Sequence, residues 1–221
     1  MTNVCLVLGI IVALLAGCQS AQISDTPAVE LNAQGVPGDV TAIAPPVGLN
    51  LTAAVGYEAD AETLTKIKDS IDAFSTLLWE KTYGNVYVKS VQLKNNSQDG
   101  YIHFENLEKL GGHAQFGGPF TVNTNLLDLD IKSGKPGVGV RVLAAGILHE
   151  FGHSMLRLQD EYGTTRECIM HPQSRTKDFC PACKEELQNR FKLWRLPAES
   201  EKADWLKTHP CPKAAISYST P

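Results

Sequence analysis

No stripe of lysine and arginine interleaved with aromatics runs through this sequence. Its 20 basic residues are outnumbered by 24 acidic ones, for a net charge of −4. Such a chain has no evident means of neutralising a phosphate backbone, so nucleic acid is not expected as a partner. No apolar run reaches the roughly 20 residues that a membrane-spanning helix needs. No internal repeat is present, which excludes solenoids and propellers. The glycine-rich stretch "GGHAQFGGPF" at 111–120 lacks the Lys-Ser/Thr ending of a phosphate loop. It reads either as the edge of a cleft, open to an extended peptide, or as a plain connection between strands. What remains is a globular composition, 43% hydrophobic and 20% charged. A chain of 221 residues suffices for one ordinary domain with a tail, or for two very small ones.

The N-terminus carries its own message. "VCLVLGIIVALLAGC", from Val4 to Cys18, is too short for a membrane span but fits the core of an export signal. Its end, "LAGC", resembles the bacterial lipobox, although no Lys or Arg precedes the apolar run. That resemblance implies a signal peptide over 1–17, lipidation of Cys18, and anchoring through acyl chains. Gln19, rather than Asp, follows the cysteine, which points to an outer-membrane lipoprotein facing the periplasm or the cell surface. Residues 18–58 are rich in Ala, Pro, Gly and small polar side chains without a helical or alternating period. They are expected to form a flexible tether. The folded domain is expected over 59–221.

Within that domain, "DAETLTKIKDSIDAFSTLLWEKTYG" spaces its apolar residues for a helix and stops at Gly84. "NVYVKSVQL" alternates as a strand, "NNSQDG" supplies a turn, and "YIHF" is a second short strand. A third strand is expected near 120–122, a second long helix over 138–158 and a last helix over 181–193. The predicted class is α+β: a small mixed sheet with an N-terminal helix, an active-site helix and a C-terminal helix.

The second long helix holds "HEFGH". Residues four apart share one helix face, so His149 and His153 can meet at a common metal ion. Imidazole nitrogen suits zinc, and Glu150 can serve as general base toward a water activated by the metal. Two histidines and a glutamate amid such apolar neighbours would be costly to bury without partners. A third protein ligand is needed. Metzincin metallopeptidases place a glycine three residues after the second His and a further ligand three residues later. Those positions are Leu156 and Gln159 here, a poor turn residue and a weak ligand. A helix running straight on would carry Asp160 about 10 Å along the axis from His153. Either the helix stops near Leu158 and Asp160 or Glu161 turns back, or the ligand comes from elsewhere, with His103, His113 and His171 as outside candidates.

"HEFGHSMLRLQDEYG" at 149–163, "CIM" at 168–170 and "DFCPACKEEL" at 178–187 resemble the IgA-peptidase-like zinc metallopeptidases. The last two elements are also similar to archaemetzincins. The resemblance covers about a quarter of the chain. It implies a metzincin-like zinc endopeptidase acting on a peptide or protein, with His149 and His153 as ligands, Glu150 as base and Asp160 as third ligand. Glu161 is the nearest rival. Met170 would form an apolar floor beneath the histidines, and Tyr162 would either support the site or donate a hydrogen bond to the oxyanion. The alternative function is a non-catalytic surface lipoprotein that binds a metal or a partner.

Cys168, Cys180, Cys183 and Cys211 make an even set once the leader is removed. In an exported chain, disulfides tying Cys168 and Cys211 to the "CPAC" turn are expected. A structural zinc on the cysteines, as archaemetzincins use, is the alternative. Thioredoxin-like chemistry is not expected, because no βαβ unit is evident before the motif. The sequence leaves the oligomeric state open.

Overall fold

The computed structural model describes residues 46–108, 111–163, 167–174, 176, 178–191 and 198–219. The leader, Cys18 and most of the expected tether lie outside the described residues. No helix among the described residues is long and apolar enough to cross a membrane.

The tether reading fails at its C-terminal end. Strand β1, Val47–Val55, is a central strand of the sheet, with Leu49, Ala53 and Val55 fully enclosed. It pairs in parallel with β2 (Val86–Lys94) on one side and β3 (Ile102–Glu105) on the other. A strand covered on both faces has no polar side to alternate with, and small residues such as Ala53 and Ala54 pass for linker composition. The folded domain therefore begins by Val47, ahead of the expected boundary.

Helix α1, Ala61–Lys81, connects β1 to β2. Its start is capped by the Asp60 carboxylate, which accepts the Thr63 amide at 2.7 Å. Ile67, Ile71, Phe74 and Leu78 form the buried stripe. Parallel strands joined through a helix make a βαβ unit, so the grounds for dismissing redox chemistry at "CPAC" do not hold as stated. Two further strands, β4 (Gly112–Ala114) and β5 (Phe120–Asn123), complete one flank. Strand β6, Ala215–Ser219, which the sequence did not announce, closes the other beside β2. The order is β4-β5-β3-β1-β2-β6, parallel except where β4 runs antiparallel to β5.

After β5 the chain makes a short 3-10 turn (Thr124–Asp128), helix α2 (Leu129–Ser133) and the long helix α3 (Val138–Ser154). Asp130 accepts the Gly137 and Gly139 amides at 3.1 and 2.7 Å and so holds the start of α3. Phe74 and Phe151 meet at 5.3 Å between ring centres, fixing α3 against α1. Helix α4 (Pro181–Arg190) follows, three residues shorter than expected, and then helix α5 (Glu199–Thr208).

Candidate metal and catalytic centre

The buried, apolar length of α3 explains why its three polar side chains are so exactly constrained: each needs a partner. His149 Nδ1–H donates to the Ile169 carbonyl at 2.7 Å, and His153 Nδ1–H donates to the Leu158 carbonyl at 2.7 Å. These bonds place both ring protons on Nδ1 and leave the two Nε2 lone pairs aimed into one space, 3.2 Å apart. Burial holds His149 below the ordinary imidazole value, so it is neutral near pH 7. Two lone pairs facing each other repel unless a cation lies between them.

The helix stops at Ser154, earlier than the expected 158, and Arg157 takes the left-handed conformation at φ 54°. No glycine marks this turn, which is why it was hard to foresee. Leu158 N–H closes back on the Gly152 carbonyl at 2.9 Å, and Glu161 N–H bonds the Met170 carbonyl at 2.9 Å. The reversal returns Asp160 to the histidines: its Oδ1 lies 3.6 Å from His149 Nε2 and 3.4 Å from His153 Nε2. That oxygen is buried with no hydrogen-bond partner among the described residues. Its other oxygen accepts the Tyr162 hydroxyl at 3.2 Å.

A circle through three atoms separated by 3.2, 3.4 and 3.6 Å has a radius of about 2.0 Å. Zinc bonds to histidine nitrogen and carboxylate oxygen are about 2.0–2.2 Å long. The donor set, the spacing, the fixed tautomers and the orphaned oxygen all fit a zinc ion. Glu161 does not join: its Oε1 accepts the Gly163 amide at 3.0 Å. Gln159 and His171 line the cleft without belonging to the ligand group, and neither His103 nor His113 belongs to it.

Glu150 is buried, and burial first, then the charge of Asp160, push its carboxyl up to about 7. It lies beneath β4, where a Cβ added to Gly112 would come within 2.6 Å of Glu150 Oε1. Nothing in the spacing of "HEFGH" pointed to Gly112. Met170 is fully buried under α3 at Gly152, where a Cβ would collide with its sulfur. Ser154 donates to the Gly118 carbonyl at 2.5 Å and is hydrogen-bonded to Tyr101, tying the end of α3 to the glycine-rich loop. A cleft of about 870 Å³ opens over the centre, bordered by Gly112, Phe116, Leu126, Gly146, Tyr162 and His171 among others.

The expected disulfides are not formed. All four cysteines are free, and Cys211 is apart from the rest, its sulfur 3.6 Å from the Ser75 carbonyl on α1. Cys168, Cys180 and Cys183 are buried together with their sulfurs within 4.8 Å of one another. An even count suggested pairs, but three of the four converge. Cys168 and Cys183 sulfurs are 3.6 Å apart, against about 2.05 Å in a disulfide. Two corners of a zinc–thiolate tetrahedron with bonds of about 2.3 Å are nearly that far apart. The contact between them lowers the Cys168 thiol and raises the Cys183 thiol, so Cys168 is the thiolate of the pair.

No family model matches the chain, and no curated protein sequence matches it. Among solved structures, it is similar to two archaemetzincins. The archaemetzincin of Methanopyrus kandleri superposes with a TM-score of 0.45 and 18% identity, over 64% of this chain and 94% of that one. The archaemetzincin of Archaeoglobus fulgidus gives a TM-score of 0.38 and 13% identity, over 63% of this chain and 99% of that one.

Proposed function

We propose that this chain is a zinc-dependent endopeptidase. The observation that carries the proposal is the triangle of His149 Nε2, His153 Nε2 and Asp160 Oδ1, with buried Glu150 beside it. Zinc held by these three groups would supply a water acidified toward neutrality and an electrophile for the scissile carbonyl. Glu150 accepts a proton from the hydrolytic water at a carboxylate oxygen, then passes it to the departing amine nitrogen. The free side of β4, the last strand of the sheet, offers backbone groups to an extended peptide lying along the cleft. Tyr162 keeps Asp160 oriented through its second oxygen. Cys168, Cys180 and Cys183 would hold a second, structural zinc that stiffens the segment supplying Ile169 and Met170. The N-terminal sequence supports export and lipid attachment at Cys18, with the enzyme tethered to an outer membrane.

Zinc content and cleavage of a broad peptide library are measured for wild type and Glu150→Gln. Wild type is expected to bind zinc and cleave; Glu150→Gln is expected to keep zinc and lose cleavage by at least about 1,000-fold. Zinc without cleavage by wild type would refute the enzyme and leave a metal-binding surface lipoprotein. Asp160→Ala is expected to lose zinc while Glu161→Ala keeps it; the reverse would hand the third position to Glu161.

A further inference from the structure

We infer that His171 is a catalytic residue, the group that donates a hydrogen bond to the substrate carbonyl oxygen as negative charge builds on it. The inference rests on the endopeptidase reading above. His171 lines the cleft directly after Met170. Its Nδ1 accepts the Gln173 backbone N–H at 2.9 Å. A nitrogen receiving an amide proton cannot carry one of its own, so the ring's proton is on Nε2 and Nε2 is a donor.

The backbone holds this ring in place. His171 N–H bonds the Cys168 carbonyl at 3.0 Å, closing a tight turn over 168–171. That turn also delivers the Ile169 carbonyl to His149 and buries Met170 under α3. His171 thus shares one short rigid segment with a partner of the metal-ligating histidine, as a preorganised donor should.

Most other side-chain donors around the cleft are engaged or turned away. The Tyr162 hydroxyl is spent on Asp160, and its ring lies edge-on to His171 at 6.4 Å. Ser174 donates to the Thr176 carbonyl at 2.9 Å. His113 borders the cleft as well, but it follows Gly112 on β4, and alternation directs its side chain to the second pocket, with His103 and Gln115. Gln159, on the exposed stretch before Asp160, and Thr176, whose hydroxyl accepts the Asp178 amide at 3.2 Å, are the remaining rivals.

The step balances without a proton leaving His171. Water oxygen bonds to the carbonyl carbon, one water proton goes to Glu150, and the C=O π pair moves onto oxygen, where Nε2–H meets it. On collapse the pair re-forms C=O, the C–N bond breaks, and the Glu150 proton goes to nitrogen.

The test uses zinc-loaded wild type, His171→Ala, His171→Gln and Gln159→Ala with a quenched fluorescent peptide, together with calorimetric binding of a phosphinic peptide that mimics the tetrahedral state. His171→Ala is expected to keep full zinc, lower kcat about 100-fold with KM changed less than threefold, and weaken the phosphinic peptide comparably. His171→Gln, which can present an N–H near the same point, should recover at least tenfold. Loss of zinc in His171→Ala, kcat within threefold of wild type, or transfer of the whole effect to Gln159→Ala would each overturn the inference. Absence of any cleavage by wild type would refute the endopeptidase reading instead, while phosphinic peptide binding would still report whether His171 donates.

Discussion

At the scale of single residues, the centre is a set of polar groups that have each lost water and found one counterpart. The imidazoles of His149 and His153 are satisfied on one side by the Ile169 and Leu158 carbonyls, and Asp160 by Tyr162. What remains unsatisfied points inward, at the place where an ion would complete it. Gly112 belongs to the same set, although it carries no functional group. Its φ is outside the left-handed region, so alanine there meets no backbone penalty; the obstacles are the Thr121 carbonyl oxygen on β5, the nearer of the two, and Glu150 Oε1 at 2.6 Å. Gly112→Ala should therefore move the base or lift β4 away, lowering kcat about 10- to 100-fold with zinc retained. Stopped-flow cleavage with zinc analysis decides it, and a kcat within twofold of wild type would show that the base has room to spare. That His149 and His153 converge, with Glu150 beside them, was legible because helical spacing is a local property. Gly112 was not, since its role arises only when a strand 38 positions earlier in the sequence is folded over the helix. The cysteines failed for a related reason: even number is a property of composition, whereas convergence of Cys168, Cys180 and Cys183 without Cys211 is a property of the fold.

At the scale of elements, the decisive event is the end of α3. Had the helix continued to Asp160, the carboxylate would have been about 10 Å from His153. Stopping at Ser154 with Arg157 at positive φ costs roughly 1–2 kcal/mol for a non-glycine residue, so something must hold the turn. Part of that hold comes from α4: Arg190 Nη1 donates to the Arg157 carbonyl at 2.8 Å, and Arg190 pairs with Glu186 on its own helix. The sequence suggested a turn but not its clamp, because the clamp lies more than thirty residues on. Arg190→Ala should loosen the turn and weaken zinc binding about 10-fold, while Arg190→Lys restores part of it. Competition against a chelator of known zinc affinity measures the effect. Equal affinity in wild type and Arg190→Ala would place the hold on the turn elsewhere, in the Leu158–Gly152 and Glu161–Met170 bonds.

At the scale of the whole molecule, the sheet and the centre depend on a strand that composition alone assigned to a tether. Strand β1 lies between β2 and β3, and Leu49, Leu51, Ala53 and Val55 sit in the same core as Phe74 of α1 and Phe151 of α3. Burying a Leu or Val side chain contributes about 1.5–3 kcal/mol. Loss of three such residues therefore rivals the whole stability of an ordinary domain, about 5–15 kcal/mol. The paired backbone is lost as well: without β1, the facing edges of β2 and β3 have no partner. A variant lacking residues 1–58, the tether boundary that composition suggests, should fail to give a cooperative thermal transition and should bind no zinc, since α1 and α3 would have lost the central strand of the sheet they pack on. A variant lacking only residues 1–45 keeps every strand of the sheet and should retain both. Circular dichroism melts and zinc stoichiometry on the two proteins separate the cases. A folded, zinc-binding product from the shorter chain would mean that α1 and α3 form a stable pair without the central strand, and that the centre is built by the helices alone.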